Sequence, residues 1–200
     1  MIVLGKSTFI SYLENALRRN DYIPITFHLM GPTKFQGFQF SNDDKSLIQL
    51  SKFNDEYDLI FEMLKSDERI VIILDRTSFG EFIWTKYWNR TGKYTDYVTS
   101  NEFIEKHRKL MDMSVYIEYY MSDIDLLEKR IIESEEDTKI FTINDKSIKE
   151  NIQYVYDLYE DLSKIIKKYN IKYIKIDSSK FKTFSETKNF VNNEFHFLLE

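Results

Sequence analysis

The segment Ile70–Leu74 reads Ile-Val-Ile-Ile-Leu and runs without interruption into Asp75-Arg76. A run so short, so apolar and so rich in β-branched residues suits a strand covered on both faces, the environment of a parallel sheet in an α/β protein. Further β-rich runs stand at Ile23–Leu29, Ser114–Tyr120 and Ile171–Ile176. Helical patterns lie between them. Phe9, Ile10, Leu13 and Leu17 share one face of a helix from about Ser7 to Asn20. Leu126, Leu127, Arg130 and Ile131 belong to a helix capped near Ser122 or Asp123. Ile148, Ile152, Val155, Leu158 or Tyr159, Leu162 and Ile166 stripe a long helix ending near Tyr169, and a last helix is expected over Ser185–Leu199. Strands alternating with helices predict a mostly parallel central sheet with helices on both faces. Gly31–Asp44 and Thr91–Asn101 carry neither pattern and read as loops over a site. With no repeat, low-complexity block or long linker, 1–200 is expected to be a single domain.

Composition narrows the function classes. Apolar residues make up 42% and aromatics 16%, ample for a buried core and contrary to disorder. The absence of cysteine excludes disulfides and zinc–thiolate sites, and it fits a reducing cytoplasm, the expected compartment. The N-terminus reaches Gly5-Lys6 before the apolar segment of a signal peptide could form. No apolar run approaches the roughly 20 residues of a membrane helix, so no membrane association is expected. A net charge of −5 argues against a general nucleic-acid binder. It leaves room for a phosphate site, because a few cations and backbone amides converging locally suffice.

Two motifs carry chemistry. Gly5-Lys6-Ser7-Thr8 opens the first amphipathic helix. In a P-loop, backbone N–H groups and the helix N-terminus cradle phosphates, the lysine reaches the β- and γ-phosphates, and the first hydroxyl ligates Mg²⁺. The bland alternative is a chance tetrapeptide capping an ordinary helix. The full motif is G-x-x-x-x-G-K-[ST], whose first glycine would fall one position before Met1. Either Met1–Leu4 supplies the four variable loop residues of a protein whose start lies upstream, the reading preferred here, or it is a stub of strand joined directly to the loop. The second motif is Asp75-Arg76 at the end of the apolar run. Functional groups in open α/β sheets gather at the carboxyl ends of strands. A carboxylate there can order Mg²⁺ or accept a proton, and an arginine can grip phosphate oxygens in a fork; the alternative is a solvated pair ending a strand. The aromatics of Gly80-Glu81-Phe82-Ile83-Trp84 and Tyr87-Trp88, at helical spacing, are read as core before a base-stacking platform, with Glu81 and Arg90 as the polar residues of interest. His28 is read as a packing or locally bonded residue, and Phe35 and Phe38 as flanking a base or covering the core.

These residues in this order resemble the thymidylate kinase and deoxynucleoside kinase families of P-loop enzymes. The matches are Gly5-Lys6-Ser7-Thr8-Phe9, then Asp75-Arg76-Thr77, then Lys129-Arg130 leading into the polar stretch Glu133–Lys139. Gly80-Glu81-Phe82-Ile83-Trp84 with Tyr87 is similar to the thymidylate kinase side, and Tyr12-Leu13-Glu14 to the deoxynucleoside kinase side. The resemblance spans Gly5 to about Ser179 and is more specific for the superfamily than for the substrate. It implies a three-layer P-loop NTPase fold whose first strand, central in the sheet of those kinases, is truncated along with the start of the P-loop. It implies a LID-like segment at about 131–146. It implies phosphoryl transfer from ATP with Mg²⁺ to a deoxynucleoside monophosphate such as dTMP, with a deoxynucleoside, for whose 5′-hydroxyl Asp75 would be the base, as the runner-up, and with a homodimer kept open as the assembly. Gly5, Lys6, Ser7 and Thr8 would bind ATP; Ser7 and Asp75 would serve the metal; Lys6, Asp75, Arg76 and Arg130 would be catalytic, with Arg76 on the acceptor side and Arg130 clamping the transferred group. Arg130 has the alternative of an ordinary surface arginine. The LID departs from the family: Ile131–Asn144 holds no arginine, only Lys139, beside Glu133, Glu135, Glu136 and Asp137. A degenerate, non-catalytic nucleotide-binding protein is the rival of another class.

Overall fold

The computed structural model describes residues 6–28, 57–75, 78–89, 96, 100–142 and 145–199. It is an α/β structure divided into two compact units, one continuous in sequence (Arg18–Met113) and one split (Met1–Leu17 with Ser114–Glu200). Each unit holds a parallel two-stranded sheet.

In the continuous unit, β1 (Ile23–His28) pairs with β2 (Ile70–Asp75) in a register that sets Ile23 opposite Ile70 and His28 opposite Asp75. Residues 57–66 are helical (α2), and two more helices follow, α3 (Ser78–Tyr87) and α4 (Asn101–Asp112). Tyr57 and Ile60 of α2 and Leu110 of α4 are buried together, with Phe27 of β1 and Ile72 and Leu74 of β2 packed against them. Alternation along β2 explains why Ile72 and Leu74 share that face. Ile70–Leu74 is half-buried and not fully covered. In α3, Phe82, Ile83 and Tyr87 are buried, and Trp84 and Trp88 meet Tyr87 edge-on at 5.6 and 5.4 Å between ring centroids. Phe82 and Tyr87 are therefore core, as the helical spacing predicts, while Trp84 is half-buried and Trp88 is exposed.

In the split unit, α1 (Lys6–Arg19) buries Phe9, Ile10, Leu13, Ala16 and Leu17. Then β3 (Val115–Tyr120) pairs with β4 (Lys172–Asp177), Val115 opposite Lys172 and Tyr120 opposite Asp177. Between them run α5 (Ile124–Ile132), α6 (Glu135–Phe141) and α7 (Ile148–Lys168); α8 (Phe184–Leu199) closes the chain. Asp123 caps α5 by accepting from the Leu126 N–H at 2.9 Å. A reciprocal capping box starts α7: Glu150 N–H donates to Ser147 Oγ at 3.2 Å, and Ser147 N–H donates to the Glu150 carboxylate at 2.8 Å. The helix ends where Asn170 takes φ 57°, a left-handed turn that asparagine tolerates, and the chain enters β4. Ile152, Val155, Leu158, Leu162 and Ile166 form the buried stripe.

The segment 135–141 is helical where the polar composition pointed to a LID-like stretch. Its cap is Ser134, and Phe141 is fully buried at its far end. Buried Asn151 of α7 donates from Nδ2 to the Phe141 carbonyl at 2.8 Å and ties α6 to α7. Removing a buried donor typically costs about 1–3 kcal/mol. Asn151→Ala is accordingly expected to lower the melting temperature and to make 135–146 the first segment cut in limited proteolysis; unchanged melting and unchanged cleavage order would show that the bond is not what holds α6.

Candidate functional site

Gly5 and Arg76 lie outside the described residues, as do Met1–Leu4, Thr77, Arg90, Gly31–Asp44 with Phe35 and Phe38, and most of Thr91–Asn101. The remaining predicted site residues fall in both units. Lys6, Ser7 and Thr8 are the opening residues of α1, with Ser7 exposed and Lys6 and Thr8 half-buried. Asp75 ends β2 in the continuous unit, buried at 8% exposure, with the backbone of His28 opposite. Its place is the carboxyl end of a parallel strand, where the sequence put it.

Arg130 stands in the last turn of α5, half-buried. The split unit relates it to α1 through Tyr119 of β3. The Tyr119 ring lies 5.1 Å from that of Phe9, the residue after Thr8, at an interplanar angle of 35°. Burial pushes the Tyr119 hydroxyl up, and the Arg130 guanidinium opposes that rise. One tyrosine is thus in ring contact with the start of α1 and within the field of Arg130. Among the described residues, no group of three or more His, Asp or Glu side chains is placed to hold a metal ion.

The carboxyl ends of β3 and β4 hold a further polar cluster that the motif search passed over. Asp177 accepts from Ser122 N–H at 3.0 Å, Ser122 Oγ at 2.6 Å, Ser179 N–H at 3.0 Å and Ser179 Oγ at 2.7 Å. The two serine hydroxyls are 2.8 Å apart. Burial pushes the Asp177 carboxyl up, but the bonds from Ser122 and Ser179 outweigh it and hold the group below its ordinary value. A signal was there to read: Ser122-Asp123 stands one residue past one β-rich run, and Asp177-Ser178-Ser179 directly follows another. Alongside, Tyr156 of α7 donates to the Met121 carbonyl at 2.5 Å, and its phenol is pushed up to about 12 by burial.

Compared with models of protein families and with curated protein sequences, the chain finds no match in either. None of the described helices is long and apolar enough to cross a membrane.

The Asp177 clamp predicts a pH signature. A carboxyl held below its unfolded value gives stability that is present above the ordinary carboxylate range and is lost as pH falls through the folded value. Asp177→Ala should therefore melt lower than the parent at neutral pH, by on the order of 1–3 kcal/mol. The two proteins should converge in acid; a gap constant across pH would refute the assignment.

Proposed function

We propose that this chain transfers the terminal phosphoryl group of ATP to a deoxynucleoside monophosphate, on a three-layer P-loop fold of the thymidylate-kinase-like kind. The observation that carries the reading is the start of α1: Gly5-Lys6-Ser7-Thr8 in the sequence becomes a helix whose described residues begin at Lys6. Helix amides and one lysine at that point receive phosphate oxygens, and Lys6 neutralises the charge that develops on the transferred group. Ser7 and Asp75 are the proposed protein ligands of magnesium, which when bound screens the phosphate charge. Arg130, in the last turn of α5, is assigned to support the transferred group; Tyr119, whose ring meets that of Phe9, also lies within the field of Arg130. Arg76 is assigned to the acceptor phosphate, for which its planar fork is suited. Little covalent work falls to the protein in such a reaction; positioning and charge neutralisation supply the rate.

A monophosphate acceptor is favoured because Arg76, with Arg90 or Arg130, offers more cationic groups than a neutral hydroxyl acceptor needs. If the acceptor is instead a deoxynucleoside, Asp75 becomes the base for its 5′-hydroxyl. The absence of arginine from Ile131–Asn144 favours the non-catalytic rival, and the Lys6-Ser7 and Asp75-Arg76 pairs oppose it.

Lys6→Ala is expected to reduce phosphorylation on the order of 100-fold or more with melting unchanged, since one transition-state contact is lost. Parent-level turnover by the mutant would end the P-loop assignment. A panel of nucleosides and monophosphates with labelled ATP identifies the acceptor: label confined to bare nucleosides would move the reading to the deoxynucleoside kinases, and no transfer to any member, with ATP still bound, would leave the non-catalytic rival.

A further inference from the structure

One face of the β3–β4 pair is unusually polar for a surface under a helix. Alternation places Tyr116, Glu118 and Tyr120 on that face of β3, and their register partners Tyr173, Lys175 and Asp177 on the same face of β4. The long helix α7 lies over it. Glu118 is only 8% exposed; its Oε1 is 3.6 Å from Lys175 Nζ, and its Oε2 is buried with no hydrogen-bond partner. Lys175 is also bound by Glu160 of α7. One lysine thus serves two carboxylates, one inside and one at the rim.

The surrounding groups do not make up the deficit. Asp177 is committed to Ser122 and Ser179. Tyr156 of α7 gives its proton to the Met121 carbonyl and meets Tyr120 edge-on at 6.4 Å between centroids. Tyr116 stacks on Tyr173 at 5.6 Å and 8°, and the Tyr173 hydroxyl is buried without a partner. Tyr159 of α7 and Glu118 both act on Tyr116, whose phenol burial alone already pushes up. Lys167 of α7 sits 5.3 Å from the centre of the Tyr173 ring and reaches Glu118 only through its field.

We propose that Glu118 is a proton-binding site built into the seat of α7, and that protonating it tightens the helix on the β3–β4 pair. The proton goes to Glu118 and not to Glu160. Burial pushes the Glu118 carboxyl up, Lys175 only partly offsets that, and the Glu160 charge adds to it. The hydrogen bond from Lys175 holds Glu160 below its ordinary value. Once Glu118 is neutral, the Lys175 charge belongs to Glu160 alone and no excess negative charge remains under the helix. A carboxyl raised in the folded state contributes stability that is complete below its unfolded value and is lost as pH rises through its folded value. The seat of α7 is therefore firmer in mild acid than at neutral pH, opposite in sign to the Asp177 clamp on the same face.

The test uses the full chain labelled with carbon-13. Side-chain carboxyl shifts are followed from about pH 7.5 to about pH 3, with Glu118→Gln for assignment and amide exchange protection of α7 measured alongside. Glu118 is expected to titrate above the ordinary glutamate range, and α7 protection to rise as pH falls through that midpoint. In Glu118→Gln the protection should be high and independent of pH over the same interval, and Lys175→Met should move the Glu118 midpoint further up. A Glu118 midpoint at or below the ordinary value, or α7 protection that does not follow the titration, would overturn the proposal; the parent protein alone decides both if either variant fails to fold.

Discussion

Parallel pairing is the constraint from which the split unit follows. Two parallel strands cannot be joined by a tight turn, because the chain must return to the start of the sheet before the second strand begins. From Tyr120 to Lys172 that return is made by α5, α6 and α7, and α7 alone, at 21 residues, spans about 31 Å. Such a helix needs a firm start, an apolar stripe and a clean stop. The Ser147–Glu150 box, the Ile152-to-Ile166 stripe and the left-handed Asn170 supply them in turn. Asp177 then binds the two strand ends to each other, so the carboxyl edge of the pair is held by a charged group in addition to the ladder.

Periodicity made the elements readable and left the site half read. Each of the four described strands starts within a residue or so of its β-rich run, and α7 ends at Lys168, one residue before the Tyr169 that its stripe indicates. These are signals of period and punctuation, local to the chain. The departures have local explanations too. Glu133–Lys139 looks like a solvated stretch because its charges dominate, yet Ser134 caps a short helix there and Asp137 and Phe141 turn inward. The isoleucine-rich strand was expected to be covered on both faces, but coverage depends on neighbours that no single run encodes. Lys6, Ser7 and Asp75 could be named from motif and strand end. The contact of Tyr119 with Phe9 could not, because the two residues stand more than a hundred positions apart.

The β3–β4 face shows how one fold treats two acids differently. Asp177 sits at a strand end within reach of two serines and their amides, so its ionised form is the favoured one. Glu118 sits two residues inside the strand, beneath α7, where it shares a single lysine and has a bare oxygen. The difference is one of donors and water, not of residue type. A buried carboxylate short of partners is costly, and Glu118 carries that cost in a face it shares with three tyrosines, Lys175 and Asp177.

The division of the chain also has a consequence for its synthesis. Arg18–Met113 is continuous and can collapse on itself as soon as it has left the ribosome. The other unit joins residues up to Leu17 with residues from Ser114 onward, so its amino-terminal helix must wait, with its apolar stripe uncovered, for most of the protein to be made. Phe9 meets Tyr119 only after more than half of the chain has been added between them. At translation speeds of about 5–20 residues per second, that helix stays open for seconds, long enough for a chaperone to find it.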